Sequence, residues 1–416
     1  MAHFGLVCPP GTSHVTGLTT VARELCGRGH RATVFNILDV EALAEREGVG
    51  FRPLGVEDHP KGAFKAFSER QSQLEGLAAL RFGLQMARAE IAMLLEEGPE
   101  AMRSAGVTAL LVDQGQPAGS TLAERLGVPF VTICNALAAN PDPQAPPATV
   151  GWGPATTWAG RWRSRLAYRM FDVAATPLRN VINQFRAQWN MPRLASLYDS
   201  FSPTLQLAQQ SAEFDFPRDA LPSHFHYIGL IRRVSSSEVP FPFERLDGRP
   251  LIYASLGTMT QDSKGIFRMI AEACATLNAQ LVLTLGGNGD TSAYSNLPGA
   301  PVVVPFAPQL ALLERSSVAI FPGTNSVLES LTKGVPVIVA PMYADQFGLA
   351  ARVERSGVGG RIALSKLNAD SMAALVRRIL GDRAYAERAR RVGESIDRAG
   401  GERRAADLIE ETLGRA

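Results

Sequence analysis

The stretch AIFPGTNSVLESLTKGVPVIVAPMYADQ (Ala319–Gln346) decides the fold. Its two apolar runs, SVAIFPG (317–323) and VPVIVAP (335–341), have the Val and Ile content of buried parallel strands, and the segment between them opens as a helix. This is a strand–helix–strand unit. Gly, Thr, Asn and Ser gather where the helix begins, and an Asp-Gln pair follows the second strand. A helix N-terminus presents unpaired N–H groups and a positive dipole end, so that cluster suits an anion. An acid and an amide side by side suit hydroxyl groups. Together they point to one ligand with a charged middle and a hydroxylated end.

The same alternation continues outward on both sides. PLIYASLG (250–257), QLVLTLGG (280–287) and PVVVPF (301–306) precede the stretch, each followed by a plausible helix. Far upstream, HFGLVC (3–8), ATVFNI (32–37), ALLVD (109–113) and PFVTIC (129–134) form a second series, with GLTTVARELCGRGH between the first two reading as a helix that ends at Gly29. Between the series, RRVSSSEVPFPFERLDGRP (232–250) loses the periodicity to Ser, Pro, Gly and charge and reads as a linker. The pattern predicts an α/β protein of two doubly wound parallel-sheet domains, residues 1–232 and 251–416 joined by 233–250, with ligands at the carboxyl ends of the strands. At 416 residues the length also suits two domains. The last helix, near ERRAADLIEETL, is expected to cross back onto the first domain, and the domains to close on their ligand about the linker.

Composition excludes several partners. Forty-two Lys and Arg against 40 Asp and Glu give a net charge of +2 with no run of one sign, which argues against a nucleic-acid track. Cys8, Cys26, Cys134 and Cys274 have no paired spacing and read as reduced, packed thiols. No window reaches the roughly 18–20 apolar residues of a membrane span, and the start has no signal-peptide pattern. A cytoplasmic protein is expected, with surface association to a membrane left open. Two segments carry more apolar surface than crossovers need: the helical 65–104, and 151–189, which holds Trp152, Trp158, Trp162 and Trp189 among several arginines. Each could line an acceptor groove or pack on the sheet with Arg stems over tryptophan faces.

Chemistry-bearing residues fall at strand ends. PPGTSHVTGL places His14 just after the first strand, where an imidazole can face a cleft as a base, although a capping role suits the position equally. Asp113 ends another strand on the same sheet edge; a carboxylate there would fix the imidazole tautomer, and a helix cap is its bland alternative. ASLGT (254–258) brings Ser255, Gly257 and Thr258 to a strand end with little bulk, so backbone N–H groups and hydroxyls can approach a phosphate. The Gly-rich LGGNGD (285–290) lacks the dinucleotide-fingerprint spacing and reads as a turn. There is no Walker-type lysine loop, no zinc-type His spacing and no Asp-x-Asp triplet.

The segment FAPQLALL…GTNSVLESLTKGVPVIVAPMYADQ resembles the donor-binding signature of family 1 UDP-dependent glycosyltransferases, which have the two-lobed GT-B fold of Rossmann-like domains facing across a cleft. VDQGQPAGSTLAERLGVPFVTICNALAANPDP and QSAEFDFPRDALPSHFHYIGL are similar to the bacterial zeaxanthin glucosyltransferase branch. The resemblance implies that Phe306 stacks near the uracil, that Gln309 contacts base or ribose, and that Glu329 binds the ribose hydroxyls. It implies a diphosphate set of Gly323, Thr324, Asn325 and Ser326 with Ser255, Gly257 and Thr258. Asp345 and Gln346 would hold the sugar, His14 would be the catalytic base and Asp113 its partner. No cofactor or metal is implied beyond the UDP-sugar co-substrate.

The reaction implied by this resemblance is an inverting transfer of a hexose, glucose above all, from UDP-glucose or another UDP-sugar to a hydroxyl of a lipophilic acceptor, giving a β-O-glycoside. Carotenoids such as zeaxanthin, polyketides and aromatic aglycones are the acceptor classes. One position departs from the family: Phe321, placed by the resemblance in the donor-binding set, stands where a histidine usually donates to a donor phosphate, with Pro322 next to it. Losing a hydrogen bond to a charged group is worth about 1.5–3 kcal/mol. Phe321 therefore supports a second reading, a catalytically weak or silent homologue that binds a nucleotide sugar or lipophilic ligand as a carrier. His14, Asp113, Glu329, Asp345 and Gln346 support the first.

Overall fold

The computed structural model describes residues 1–74, 76–231, 239–257, 263–287 and 290–414. Thr258, Asn288, Gly289 and linker residues 232–238 thus lie outside the described residues. The first half runs β1 (His3–Val7), α1 (Thr12–Gly27), β2 (Arg31–Asn36), α2 (Glu41–Arg46), β3 (Gly50–Pro53), α3 (Ala63–Ser72), α4 (Gly76–Ala105), β4 (Ala109–Asp113), α5 (Ala118–Leu126), β5 (Phe130–Cys134), α6 (Trp158–Ala174), α7 (Thr176–Gln188), β6 (Gln206–Ala208) and β7 (Phe225–Tyr227). The second continues β8 (Leu251–Ser255), α8 (Ser263–Ala275), β9 (Gln280–Thr284), β10 (Val302–Val304), α9 (Gln309–Leu313), β11 (Ser316–Phe321), α10 (Thr324–Thr332), β12 (Val337–Val339), α11 (Gln346–Ser356), β13 (Gly359–Arg361), α12 (Ala369–Gly381), α13 (Ala384–Arg398) and α14 (Gly401–Leu413).

Each half is a parallel α/β layer with helices on both faces of its sheet, which is why its strands are apolar on both sides. The first sheet has the order β3-β2-β1-β4-β5-β6-β7, the second β10-β9-β8-β11-β12-β13. In each, the order reverses beside the first strand, between β1 and β4 and between β8 and β11. Ligands bind at such switch points because crossovers leave on opposite faces there and open a crevice at the carboxyl ends. The register Val7↔Val112 puts the loop after β1 beside Asp113. Likewise Ile320↔Ala254 puts the loop after β11 beside Ser255.

Strands β3, β6, β7 and β13 carry no signal in the sequence reading. They have three or four residues each, too few to show a period. Gly359 in β13 is required by close approach: a Cβ there would lie 1.7 Å from the Val337 carbonyl oxygen. The second part of the linker packs on the second core through Phe241, Phe243 and Leu246. All four cysteines are free. Among the described residues no helix is long and apolar enough to cross a membrane.

The two lobes are tied at several points. Ala405, Ala406, Leu408 and Ile409 of α14 are buried in the core of the first lobe. At the rim of that contact Arg28 bonds Asp407 (2.7 Å) and Glu410 (2.8 Å), and His30 Nε2 meets Glu410 Oε1 at 3.0 Å. Deeper, Asp215 of the first lobe accepts from Arg352 of α11 through Oδ1 and from Arg218 and the Tyr227 hydroxyl through Oδ2, at 2.7, 2.7 and 2.9 Å. The Arg352 guanidinium also lies over the Phe216 ring, 4.2 Å from its centroid. Burial would raise the Asp215 carboxyl, but the attraction of Arg352 and Arg218 wins and brings it down to about 2.

Removing one partner of a buried pair strands the other. Arg352→Ala is expected to cost about 3–5 kcal/mol in urea unfolding at neutral pH. Because the Asp215 carboxyl is depressed from 3.8 to about 2, its contribution is complete above 3.8 and is lost as pH falls through 2. The deficit of the variant, followed by melting temperature against pH, should therefore shrink over that window.

Candidate active site

At the first switch point, α1 begins directly after the β1 loop, and its first turn carries His14. The imidazole Nδ1 lies 2.9 Å from Asp113 Oδ2, with His14 partly exposed and Asp113 fully buried. Asn135, just beyond β5, donates from Nδ2 to the same Oδ2 (2.7 Å) and to the His14 carbonyl oxygen (3.3 Å). The Gly115 N–H donates to Oδ1 at 2.7 Å. This array assigns the Nδ1 proton to the Asp113 bond and leaves Nε2 free for a second partner. His14 does not cap α1, whose start has no side-chain cap bond.

Charge follows from the geometry. Attraction to Asp113, opposed by burial and helped by the Nδ1 hydrogen bond, pushes the His14 imidazolium up from 6.5 to about 9. Burial would raise the Asp113 carboxyl, but His14, Asn135 and the Gly115 N–H overcome it and hold the group below its ordinary value. A third titrating group, Glu90 of α4, is pushed up by burial to about 7 and accepts from Gln116 Nε2 at 2.7 Å.

Asn135, Glu90 and Gln116 are absent from the sequence reading. The signal for Asn135 lay in Gly17, one turn after His14 on α1. A Cβ on Gly17 would stand 1.9 Å from Asn135 Oδ1, so the glycine makes room for the amide against the helix. Nothing in the sequence marks Glu90, which lies among other charged and apolar residues of a long helix.

Across the crevice, α10 starts at Gly323 without a side-chain cap, and a Cβ on Gly323 would meet no atom. Thr324, Asn325 and Ser326 form its first turn. Ser255 ends β8 beside them, and Gly257 follows with φ 78°. Asn325 Oδ1 accepts from Gln209 Nε2 at 2.5 Å, and the same nitrogen reaches the Asn135 carbonyl oxygen. One buried glutamine of the first lobe therefore spans from the histidine array to the start of α10.

The remaining residues group around α10. Gln309 bonds the Glu329 carboxylate, Ser326 Oγ at 3.3 Å and the Tyr253 hydroxyl at 3.3 Å. Phe306, 56 % exposed, stands over the turn at Gly287, where a Cβ would lie 2.2 Å from its ring. The LGG turn thereby seats an exposed aromatic platform. Thr324 donates to Asp345 Oδ2 at 2.7 Å, tying the two helix starts together. Gln346 is buried, and its Oε1 accepts from the N–H groups of Met342 and Tyr343 at 2.8 and 3.3 Å. This fixes the turn at Ala344, a non-glycine residue at φ 52°, and leaves the amide nitrogen as the donor.

Phe321 requires a correction. Alternation along β11 sends Ile320 to one face and Phe321 to the other, where it is fully buried. Its ring packs edge-on against Tyr253, centroids 5.6 Å apart. A donor-contacting role is therefore not what this side chain has here. It supports Tyr253, which in turn holds Gln309.

The comparisons follow the same lines. Residues 63–397 match the family UDP-glucoronosyl and UDP-glucosyl transferase. A zeaxanthin glucosyltransferase of Pantoea ananas is 33 % identical over 99 % of this chain and 96 % of its own. Among solved structures, the glycotransferase of kitacinnamycin superposes with a TM-score of 0.78 at 23 % identity, covering 99 % of both chains. The glycosyltransferase VinC, solved with dTDP, gives 0.72 at 16 % identity over 100 % of both chains.

Two outcomes are expected. If His14 is the base, only its neutral form acts, so kcat/KM for an acceptor should rise roughly tenfold per pH unit and level near pH 9. Asp113→Asn should move that midpoint down toward 6.5 and lower the plateau. The pair's contribution to stability runs the opposite way: complete below 6.5 and lost as pH rises through about 9. Separately, Phe321→His places an imidazole in an apolar core. It should lower the melting temperature and weaken UDP binding by calorimetry, because the Tyr253 support of Gln309 is disturbed.

Proposed function

The chain belongs to the UDP-glucoronosyl and UDP-glucosyl transferase family, and from that premise we propose that it transfers glucose from UDP-glucose to a hydroxyl of a lipophilic, carotenoid-type acceptor. Glycosyl transfer is the activity of the family. The donor sugar and the acceptor are the proposed part. The observation that carries the reading is the Gln209 link between the His14–Asp113–Asn135 array and the start of α10. It supports a proton acceptor and a diphosphate site adjoining across one crevice.

In this mechanism His14 Nε2 takes the proton of the acceptor hydroxyl while its oxygen attacks the anomeric carbon from the face opposite the nucleotide. A new C–O bond forms as the bond to the β-phosphate oxygen breaks, and the electron pair leaves with UDP. Asp113 holds the imidazole in one tautomer and stabilises the imidazolium as it forms. The N–H groups of α10 receive the charge that grows on the diphosphate. Single displacement inverts the α-linked donor to a β-glycoside. We assign no step to a divalent ion.

Glu329 and Gln309 suit the ribose, Phe306 the base, and Asp345 with the amide of Gln346 the sugar hydroxyls. An apolar acceptor is supported by the segment that leaves β3 at the carboxyl edge of the sheet. There Phe64, Phe67 and Phe82 stack in series, with centroids 6.0 and 5.5 Å apart, and Leu77 and Leu80 remain exposed nearby on α4. The Pantoea ananas relative, by its name, glucosylates zeaxanthin.

The test is UDP release from UDP-glucose by purified protein with zeaxanthin, a polyketide aglycone or an aromatic aglycone, with product mass followed. Acceptor-dependent release with a gain of one hexose, unchanged by EDTA, is expected. His14→Ala should remove transfer by about 10³-fold or more while UDP binding stays intact. Turnover of dTDP-glucose in place of UDP-glucose would correct the donor. Binding of UDP-glucose with no product from any acceptor would favour the silent-carrier reading.

A further inference from the structure

Helix α6 presents its outward side to solvent with the wrong composition for a solvated surface. Ser164, Ala167 and Tyr168 face inward. On the opposite side Trp158 (83 % exposed), Trp162, Leu166, Met170 and Val173 (69 %) recur at helical spacing and form one continuous exposed stripe. Contiguous apolar surface of this kind marks an interaction site.

The flanks of the stripe identify the partner. Arg161, Arg165 and Arg169 are exposed along it, and among the described residues no carboxylate forms an ion pair with them. On the other flank Arg163 lies over the Trp152 ring at 4.3 Å. The one acid of the helix, Asp172, lines a cleft with Arg165 and Arg169 and is held there by Arg179, Ser196 and the Leu197 N–H, from which it accepts. The stripe is thus flanked by three exposed arginines, while Asp172 beside them is already engaged by Arg179. Tryptophans with an apolar body and a polar N–H favour the headgroup level of a bilayer, and arginine stems lie along apolar surface while their heads reach phosphates.

We propose that α6 docks this protein on the surface of an anionic lipid bilayer, lying in the interface with Trp158, Trp162, Leu166 and Met170 inserted and Arg161, Arg165 and Arg169 on the phosphates. The helix follows the 135–157 loop, which begins at Asn135 of the active-site array, so the docked face adjoins the acceptor lobe. The surface goes beyond the transfer reading and stands without it.

The experiment is cosedimentation of the full chain with vesicles of phosphatidylcholine alone or mixed with phosphatidylglycerol, with tryptophan emission followed in parallel. Binding to the anionic vesicles, a blue shift, and weakening at high salt are expected. Trp158→Ser with Trp162→Ser, and Arg161→Glu with Arg165→Glu, should each reduce partitioning by about tenfold or more. All four side chains are exposed, so melting temperature and UDP binding should not change. No binding to anionic vesicles, or equal binding by both variants, overturns the proposal. Concentration-dependent self-association in light scattering that the tryptophan variant abolishes also overturns it, and assigns the stripe to a second copy. Transfer assayed with soluble acceptor is independent of either result.

Discussion

A carboxylate shut away from water has to be met by charge, and Asp215 is met from two sides: by Arg218 within its own lobe and by Arg352 across the boundary. The second lobe therefore has a position fixed by electrostatics as well as by packing. Arg352 lies on α11, the helix that opens with Gln346, about 9 Å along the axis from that end. Fixing Arg352 fixes where Asp345 and Gln346 sit against the first lobe. The start of the same helix is seated closely: the Gly348 N–H donates to the Ala148 carbonyl at 2.9 Å, and a Cβ on Gly348 would lie 2.3 Å from that oxygen.

Both halves of the site obey one topological rule. In the first sheet the switch between β1 and β4 places an imidazole and a carboxylate in contact although they are 99 residues apart. In the second, the switch between β8 and β11 places a small polar strand end beside an uncapped helix start. Gln209, from the end of β6, then joins one switch point to the other. The histidine array and the start of α10 thus belong to different sheets and meet through one side chain.

Much of this was legible in the sequence because it depends on local pattern. Buried parallel strands read as Val- and Ile-rich runs, and helix starts read as Gly, Thr, Asn and Ser; hence the fold class and the cluster around α10. His14 and Asp113 were found from their places at strand ends. Asn135 and Glu90 were not, since a single polar residue in a loop or helix has no pattern until the fold brings it to a partner. Phe321 shows the limit of reading by position: alignment with a motif assigns a place in the chain, whereas the side of the strand and the packing of Tyr253 decide what the ring touches. The short strands β6, β7 and β13 have the same difficulty, being defined by neighbours rather than by their own residues. In the tryptophan-rich segment Trp152 and Trp189 lie under arginines, as the packing reading has it, whereas Trp158 and Trp162 face water, which neither reading foresaw.

The return of α14 to the first lobe gives the chain a second crossing, and the two crossings touch. The Gly401 N–H donates to the Ile228 carbonyl at 2.6 Å, and Gly229 at φ 74° lies so close to the Ile396 carbonyl oxygen that a Cβ would be 2.0 Å from it. Outgoing and returning backbones thus meet at one spot, with glycines where any side chain would obstruct. Any residue larger than glycine at 229 would force these backbones apart, and with them the seating of α14 on the first lobe.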